Sequence, residues 1–175
     1  NYLGFQNKYE LGPIPIGDWT PYFQQIGYAG DGETLEYIWV GQKLVEWDKI
    51  TNEIIWEWDP FEYYSFDEYD HYGGTWQNTL NNSQPYDWLH SNSIYYNSND
   101  SSILVSYRHI SKITKINYPS GIIEWEIGLS DNLIGGSPNN ICSELQINWQ
   151  HDVKVLNNNN ILLFNNGNLN QSLFN

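Results

Sequence analysis

A short phrase stands twice in this chain, Asp87-Trp88-Leu89-His90-Ser91-Asn92-Ser93-Ile94 and Asn148-Trp149-Gln150-His151-Asp152-Val153-Lys154-Val155, and the recurrence limits the folds open to it. In each copy a histidine precedes an apolar stretch and an Asn- and Ser-rich turn follows. A second apolar stretch then comes, Ile103-Leu104-Val105-Ser106 or Ile161-Leu162-Leu163-Phe164. A further pair of segments repeats without gaps. Leu44-Val45-Glu46-Trp47-Asp48, Thr51-Asn52 and Ile54-Ile55-Trp56-Glu57-Trp58 align on Ile113-Thr114-Lys115-Ile116-Asn117, Ser120-Gly121 and Ile123-Glu124-Trp125-Glu126-Ile127. The offset there is 69 residues (Leu44 to Ile113), against 61 between the histidines (His90 to His151). Apolar and polar residues alternate, turn residues separate the runs, and no segment keeps a helical period, which predicts strands. Each unit reads as four short strands: A after the histidine, B after the Asn/Ser turn, C and D around the Thr-Asn or Ser-Gly turn. Four antiparallel strands per unit, repeated, are the blade of a β-propeller.

The expected fold class is therefore all-β, an incomplete β-propeller of about two and a half to three four-stranded antiparallel blades, since a closed propeller takes roughly four to eight. As one domain it divides into a partial blade over 1–30, blades near 31–86 and 87–147, and a partial blade over 148–175. The chain contains no Met, opens with Asn1-Tyr2-Leu3-Gly4-Phe5 as if at the second strand of a blade, and stops inside another after Leu162-Leu163-Phe164-Asn165-Asn166-Gly167. We expect an internal fragment of a larger propeller, inactive alone, in which any targeting segment lies upstream.

Seven basic against twenty-one acidic residues give a net charge of −14, which repels phosphate backbones and anionic membrane surfaces and excludes nucleic acid as an expected partner. No apolar run of about 18 residues is present, so no membrane span is expected. Cys142 is the single cysteine. Among nine Trp, Trp47, Trp56, Trp58 and Trp125 are expected to pack sheet on sheet, whereas Trp88 and Trp149, beside the histidines, are candidates for an aromatic acceptor pocket.

In an antiparallel hairpin the start of the first strand lies beside the end of the second. His90 and Asn92 begin strand A and Arg108 closes strand B, so the hairpin brings them to one rim. Side chains two apart share a strand face, which lets His90 and Asn92 point the same way. His151 holds the corresponding place one unit later. The expected site thus contains two imidazoles, an amide and a guanidinium. A guanidinium fork suits a tetrahedral oxyanion and an amide adds a neutral donor. One imidazole can act as nucleophile and another as general acid and base. No thiol or metal cluster accompanies them, so the expected chemistry is transfer of an anionic group through a covalent histidine, sulfuryl or phosphoryl, with no cofactor and no metal; the alternatives are a propeller that binds a ligand or protein at the channel mouth without chemistry, and a phosphate-ester transferase or hydrolase with the same pocket.

Jointly, Ile54-Ile55-Trp56-Glu57-Trp58-Asp59, the first histidine phrase, Ile103-Leu104-Val105-Ser106-Tyr107-Arg108, Gln150-His151-Asp152 and Ile161-Leu162-Leu163-Phe164-Asn165-Asn166-Gly167 resemble the arylsulfotransferase family. These sulfotransferases do without phosphoadenylyl sulfate and fold as six-bladed propellers. The resemblance implies that an aryl sulfate ester gives its sulfuryl group to His151 and a phenol collects it, with His90, Asn92 and Arg108 handling the sulfate and the leaving phenolate. It also implies export to the periplasm or beyond. The family's further active-site histidine would precede Asn1, and Asn165 stands where the family usually has Asp. Asp152 is a candidate orienter of His151.

The remaining histidines are expected to be structural. His71 in Phe66-Asp67-Glu68-Tyr69-Asp70-His71 matches no metal loop and reads as a solvated connection. His109 follows Arg108 and points the opposite way if the strand continues. Gly135-Gly136-Ser137-Pro138 lacks the Lys and helix of a phosphate loop, and Asn157-Asn158-Asn159-Asn160 is a turn in which Asn tolerates left-handed backbone.

Overall fold

The computed structural model describes residues 1–82 and 85–169. Its strands are β1 (Tyr2–Gly12), β2 (Tyr37–Trp47), β3 (Ile54–Trp58), β4 (Tyr86–Asp87), β5 (Ser91–Asn97), β6 (Ser102–Tyr107), β7 (Lys112–Asn117), β8 (Ile123–Ile127), β9 (Asn140–Ile141), β10 (His151–Val155) and β11 (Ile161–Phe164). They form three sheets in chain order: β1-β2-β3 with β4 alongside β2, then β5-β6-β7-β8-β9, then β10-β11. The long pairings are antiparallel, and only the two-residue strands β4 and β9 join in parallel. The expected all-β class holds at this level. Sheet boundaries differ from the expected division, because β1 pairs with β2 along its whole length, Tyr2 opposite Trp47 and Gly12 opposite Tyr37. Residues 1–58 therefore share one sheet rather than splitting near residue 30. Residues 170–175 of the last expected unit lie outside the described residues.

The gapless repeat is reproduced bond for bond. Asp48 N donates to Glu53 O at 2.9 Å and Asn52 N to Asp48 O at 2.8 Å; Asn117 N donates to Ile122 O at 2.8 Å and Gly121 N to Asn117 O at 2.9 Å. Asn52 and Gly121 supply the left-handed residue of each turn, with φ of 59° and 76°. Gly adopts this without a Cβ clash, and Asn is the side chain that tolerates it best. Even the bulge recurs at the same step, between Glu46 and Trp47 and between Lys115 and Ile116.

All six residues of β6 are buried, because both of its faces are covered. Ile103, Val105 and Tyr107 pack toward the first sheet, with Leu44 and Trp58 in the same core. Leu104 points the other way, into a core with Ile113, Ile127 and Val153. A half-buried sheet alternates apolar and polar; a strand between two sheets is apolar on both faces. Each such side chain contributes about 1.5–3 kcal/mol. Trp56 and Trp58 link first and second sheets by indole N–H bonds to Pro119 O (2.9 Å) and Gly121 O (3.0 Å) in the β7–β8 turn.

Two short helices, α1 (Thr20–Gln25) and α2 (Thr75–Asn82), lie in the long connections flanking β2 and β3, where the sequence shows no helical period. Tertiary packing rather than amphipathic pattern holds them, as helices this short are marginal alone. Trp19 at the start of α1 stacks on Tyr69 at 3.7 Å and sends its N–H to Pro15 O at 2.6 Å. Asp70, buried at 3% exposure, receives Gly73 N (2.7 Å), Thr75 N (3.1 Å) and Thr75 Oγ1 (2.9 Å) and so caps α2. Among the described residues no helix is long and apolar enough to cross a membrane.

Candidate active site at the junction of the second and third sheets

Strand β10 is laid against β5 and β6, and one residue fixes it there. Gln150 is fully buried, and its Nε2 lies within bonding distance of Lys112 O (2.9 Å), Ser106 Oγ (3.1 Å) and Tyr107 O (3.1 Å). Its own carbonyl accepts from Asn92 Nδ2 at 2.8 Å and Ser106 Oγ at 3.2 Å. Val153 N adds a bond to Ser93 Oγ at 3.0 Å. These bonds seat His151 against the end of the β5–β6 hairpin. Gln150 is visible in the sequence as part of a motif, but nothing in its spacing announces this role.

On the hairpin side, Ser91 pairs with Tyr107, and beyond that pair Arg108 N donates to His90 O at 3.3 Å. His90 and Arg108 thus meet at the open end, as the hairpin geometry predicts. The expectation that His90 and Asn92 share a strand face does not carry over. His90 has φ of 49° and lies outside the strand, and the register shifts between Ser91 and Ser93, which puts Asn92 in a bulge. Period-two alternation breaks at a bulge. Asn92 instead uses its amide N–H to bridge to Gln150.

The two histidine phrases also differ in conformation. In the first, Asp87 accepts His90 N (3.2 Å) and Gln42 Nε2 (3.3 Å) on Oδ1 and meets His90 Nδ1 at 2.5 Å through Oδ2. Burial opposes its ionisation, but the bonds from His90 and Gln42 and the nearby imidazoles prevail and hold its carboxyl below the ordinary range. Asn148, the counterpart in the second phrase, faces the other way, taking Leu169 N at 3.0 Å and donating to Gln146 O at 2.9 Å. There the left-handed residues are Trp149 and Asp152 rather than the histidine.

The two tryptophans part: Trp88 needs correction as a pocket wall. Trp88 is fully buried, edge-on to Phe66 at 5.0 Å, Phe61 at 5.3 Å and Trp39 at 5.9 Å, and belongs to the core of the first sheet. Trp149 lies beneath Arg108, whose Cζ sits 4.0 Å from the ring centroid. Gly73 makes room for that indole, since a Cβ there would fall 1.9 Å from Trp149 Cζ2. Asp152 does not orient His151; it is exposed and pairs with Lys154 Nζ at 2.9 Å. The bulge after His151 turns it outward.

His109 is the residue that sequence reasoning assigned away from the site. Strand β6 ends at Tyr107, so alternation no longer separates Arg108 from its neighbour. The His109 ring is buried, stacks on His90 with centroids 4.6 Å apart, and accepts from Arg108 Nη1 at 2.8 Å. Burial is the main cause that drives its imidazole down to about 4, against the opposing bond to the Asp87 carbonyl. His151, half-buried, is held below the ordinary range by burial first, then by the charges of Arg108 and His90. The shift favours the neutral imidazole, the form that carries a nucleophilic lone pair.

Asp87, His90 and His109 place ligand-capable atoms within 4.8 Å of one another. Metal ligation would break the Asp87–His90 bond and set a cation beside the Arg108 guanidinium, so the donor set does not favour a metal. His71 stands apart on the surface, bonded through Nε2 to Asp67 O at 2.7 Å and tilted over Tyr69. Cys142 is exposed.

Neither a curated protein nor a solved structure matches the chain. A family model described as Arylsulfotransferase (ASST) matches residues 32–172, a span that includes both histidine phrases and every residue of the cluster. The chain belongs to the arylsulfotransferase family.

Proposed function

We propose that this chain carries the transfer site of an aryl sulfotransferase that moves a sulfuryl group from a phenolic sulfate ester to a phenol by a ping-pong route through sulfo-histidine. The observation that carries the reading is that Arg108 and the carboxylate-bound His90 meet at the open end of the β5–β6 hairpin, to which the residue before His151 is tied by the bond from Asn92 to the Gln150 carbonyl. In the first half, a ring nitrogen of His151 attacks sulfur and the bond from sulfur to the phenolic oxygen breaks. Arg108 and the remaining N–H of Asn92 hold the non-bridging oxygens, whose charge they match throughout transfer. His90, with Nδ1 engaged by Asp87, uses Nε2 to protonate the departing phenolate. In the second half, Nε2 takes the proton of the acceptor phenol. Its oxygen then attacks sulfur, and His151 leaves with its lone pair restored. A carboxylate on the far nitrogen of an imidazole fixes its tautomer and orientation, as the step requires.

The three sheets read best as successive blades of a propeller, the first lacking its A strand, and the site would then open at a channel mouth. Family resemblance supports an exported, periplasmic enzyme acting on small aryl substrates. The test is release of nitrophenol from p-nitrophenyl sulfate by the complete protein with added phenol, and capture of labelled sulfate on His151. Acceptor-dependent release that His151→Asn abolishes supports the reading. Absence of release, or release that survives His151→Asn, overturns it; release from p-nitrophenyl phosphate instead makes the enzyme a phosphoryl transferase.

A further inference from the structure

Arg108 is the only arginine of the chain, and twenty-one carboxylates compete for it. Five of the six lysines sit in ion pairs, Lys8, Lys43, Lys112, Lys115 and Lys154. Among the described residues no carboxylate pairs with Arg108. Its partners are an aromatic face on one side and a ring nitrogen on the other: Trp149 at 4.0 Å and His109 Nε2 at 2.8 Å. A guanidinium has no acceptor atom, so Nε2 presents its lone pair and the proton of His109 sits on Nδ1. That proton goes to the Asp87 carbonyl at 2.6 Å, which fixes the tautomer. Packing against His90 at 4.6 Å and Trp149 at 5.9 Å fixes the ring plane.

We infer that His109 is a positioning residue for Arg108, a neutral acceptor that aims the guanidinium while leaving its charge uncompensated for the oxygens of the sulfuryl group. This rests on the sulfotransfer reading for the identity of the anion, and on geometry alone for the clamp. A carboxylate in the same place would hold the guanidinium as well but cancel its charge, and a protonated imidazole would repel it. An apolar ring would let the side chain leave the indole. The charge of the position-109 side chain, not its size, should therefore set anion affinity.

The discriminating pair is His109→Gln and His109→Glu in the complete protein, nearly equal in shape, with His109→Phe as the ring-shaped control. Three quantities are read: kcat and KM with p-nitrophenyl sulfate and phenol, and the dissociation constant of inorganic sulfate from NMR shifts of Arg108 and His151. Gln, with one donor and one acceptor, should stay within about threefold of the parent in sulfate affinity, Phe should lose about tenfold, and Glu more than Phe, the scale of one charge-assisted hydrogen bond. The loss with Phe should appear in KM with kcat nearly unchanged, because Arg108 holds the same oxygens in ground and transition states. If Gln and Glu bind sulfate equally, or Phe lies within about twofold of the parent, the clamp is wrong even where transfer proceeds. If the parent transfers no sulfuryl group but sulfate affinity still falls in the order Gln, Phe, Glu, the clamp stands and the transfer reading fails. Should Phe not fold, the Gln and Glu pair decides alone.

Discussion

Replacing Gln150 by Met tests whether His151 is seated by a single buried amide. Met fills nearly the same volume, so cavity formation is avoided, and the two N–H donors are removed together with the unpartnered Oε1. They serve Lys112 O at 2.9 Å, Ser106 Oγ at 3.1 Å and Tyr107 O at 3.1 Å, all where Gln150 is fully buried. The Ser106 hydroxyl keeps its bond to the residue-150 carbonyl and loses little. Two hydrogen bonds at about 1 kcal/mol each, with at least one carbonyl left short of a partner at about 1–3 kcal/mol, give a cost of about 2–4 kcal/mol after allowing for relief of the unpartnered Gln150 Oε1. That is a large share of the roughly 5–15 kcal/mol by which domains are stable. Urea unfolding should show the midpoint falling with the slope unchanged. The damage should be local first, because β10–β11 forms its own two-stranded sheet and leans on the hairpin through these bonds. Amide exchange at Val153, whose N–H bonds Ser93 Oγ, should therefore accelerate more than exchange within β6–β7. A loss below about 1 kcal/mol, or Val153 protection equal to the parent, would show that the third sheet is held by its apolar core and not by Gln150.

Other outcomes follow from the same geometry. Gly73→Ala should displace Trp149, whose Cζ2 would lie 1.9 Å from the new Cβ, at an overpacking cost of about 1–3 kcal/mol. With the aromatic face gone, KM for p-nitrophenyl sulfate should rise about threefold or more, checked by kinetics beside thermal unfolding. The His109 imidazole is faced by the His90 ring, by Arg108, and by the charges of Asp87 and Asp70. Its folded value is depressed from 6.5 to about 4, so the unfolded chain takes up its proton first as pH falls. Stability from this group is complete above the unfolded value and drains away between the two, by about 3 kcal/mol in all. The pH dependence of unfolding between those limits should be shallower in His109→Gln than in the parent, and parallel curves would refute the burial of a neutral imidazole there.

The sequence alone determined the all-β class and the repeating unit. It did so because alternation and turn chemistry are local: the Asp48–Glu53 and Asn117–Ile122 turns carry the same backbone bonds in the same places. It also brought His90 and Arg108 to one end of the β5–β6 hairpin, since pairing a strand start with a strand end needs only the hairpin. It did not decide which neighbours those groups have. Bulges at Asn92 and after His151, and left-handed backbone at His90, Trp149 and Asp152, break the period on which facing arguments depend. Residues written alike in the two phrases thus part company, Trp88 into the core and Trp149 beneath the arginine. His109 joined the site, and Asp152 left it, through contacts between segments far apart in the chain. Tertiary structure alone decided these, because the energy that fixes them, burial of Gln150 and the stacking of His109 and Trp149 about one guanidinium, exists only when the sheets meet.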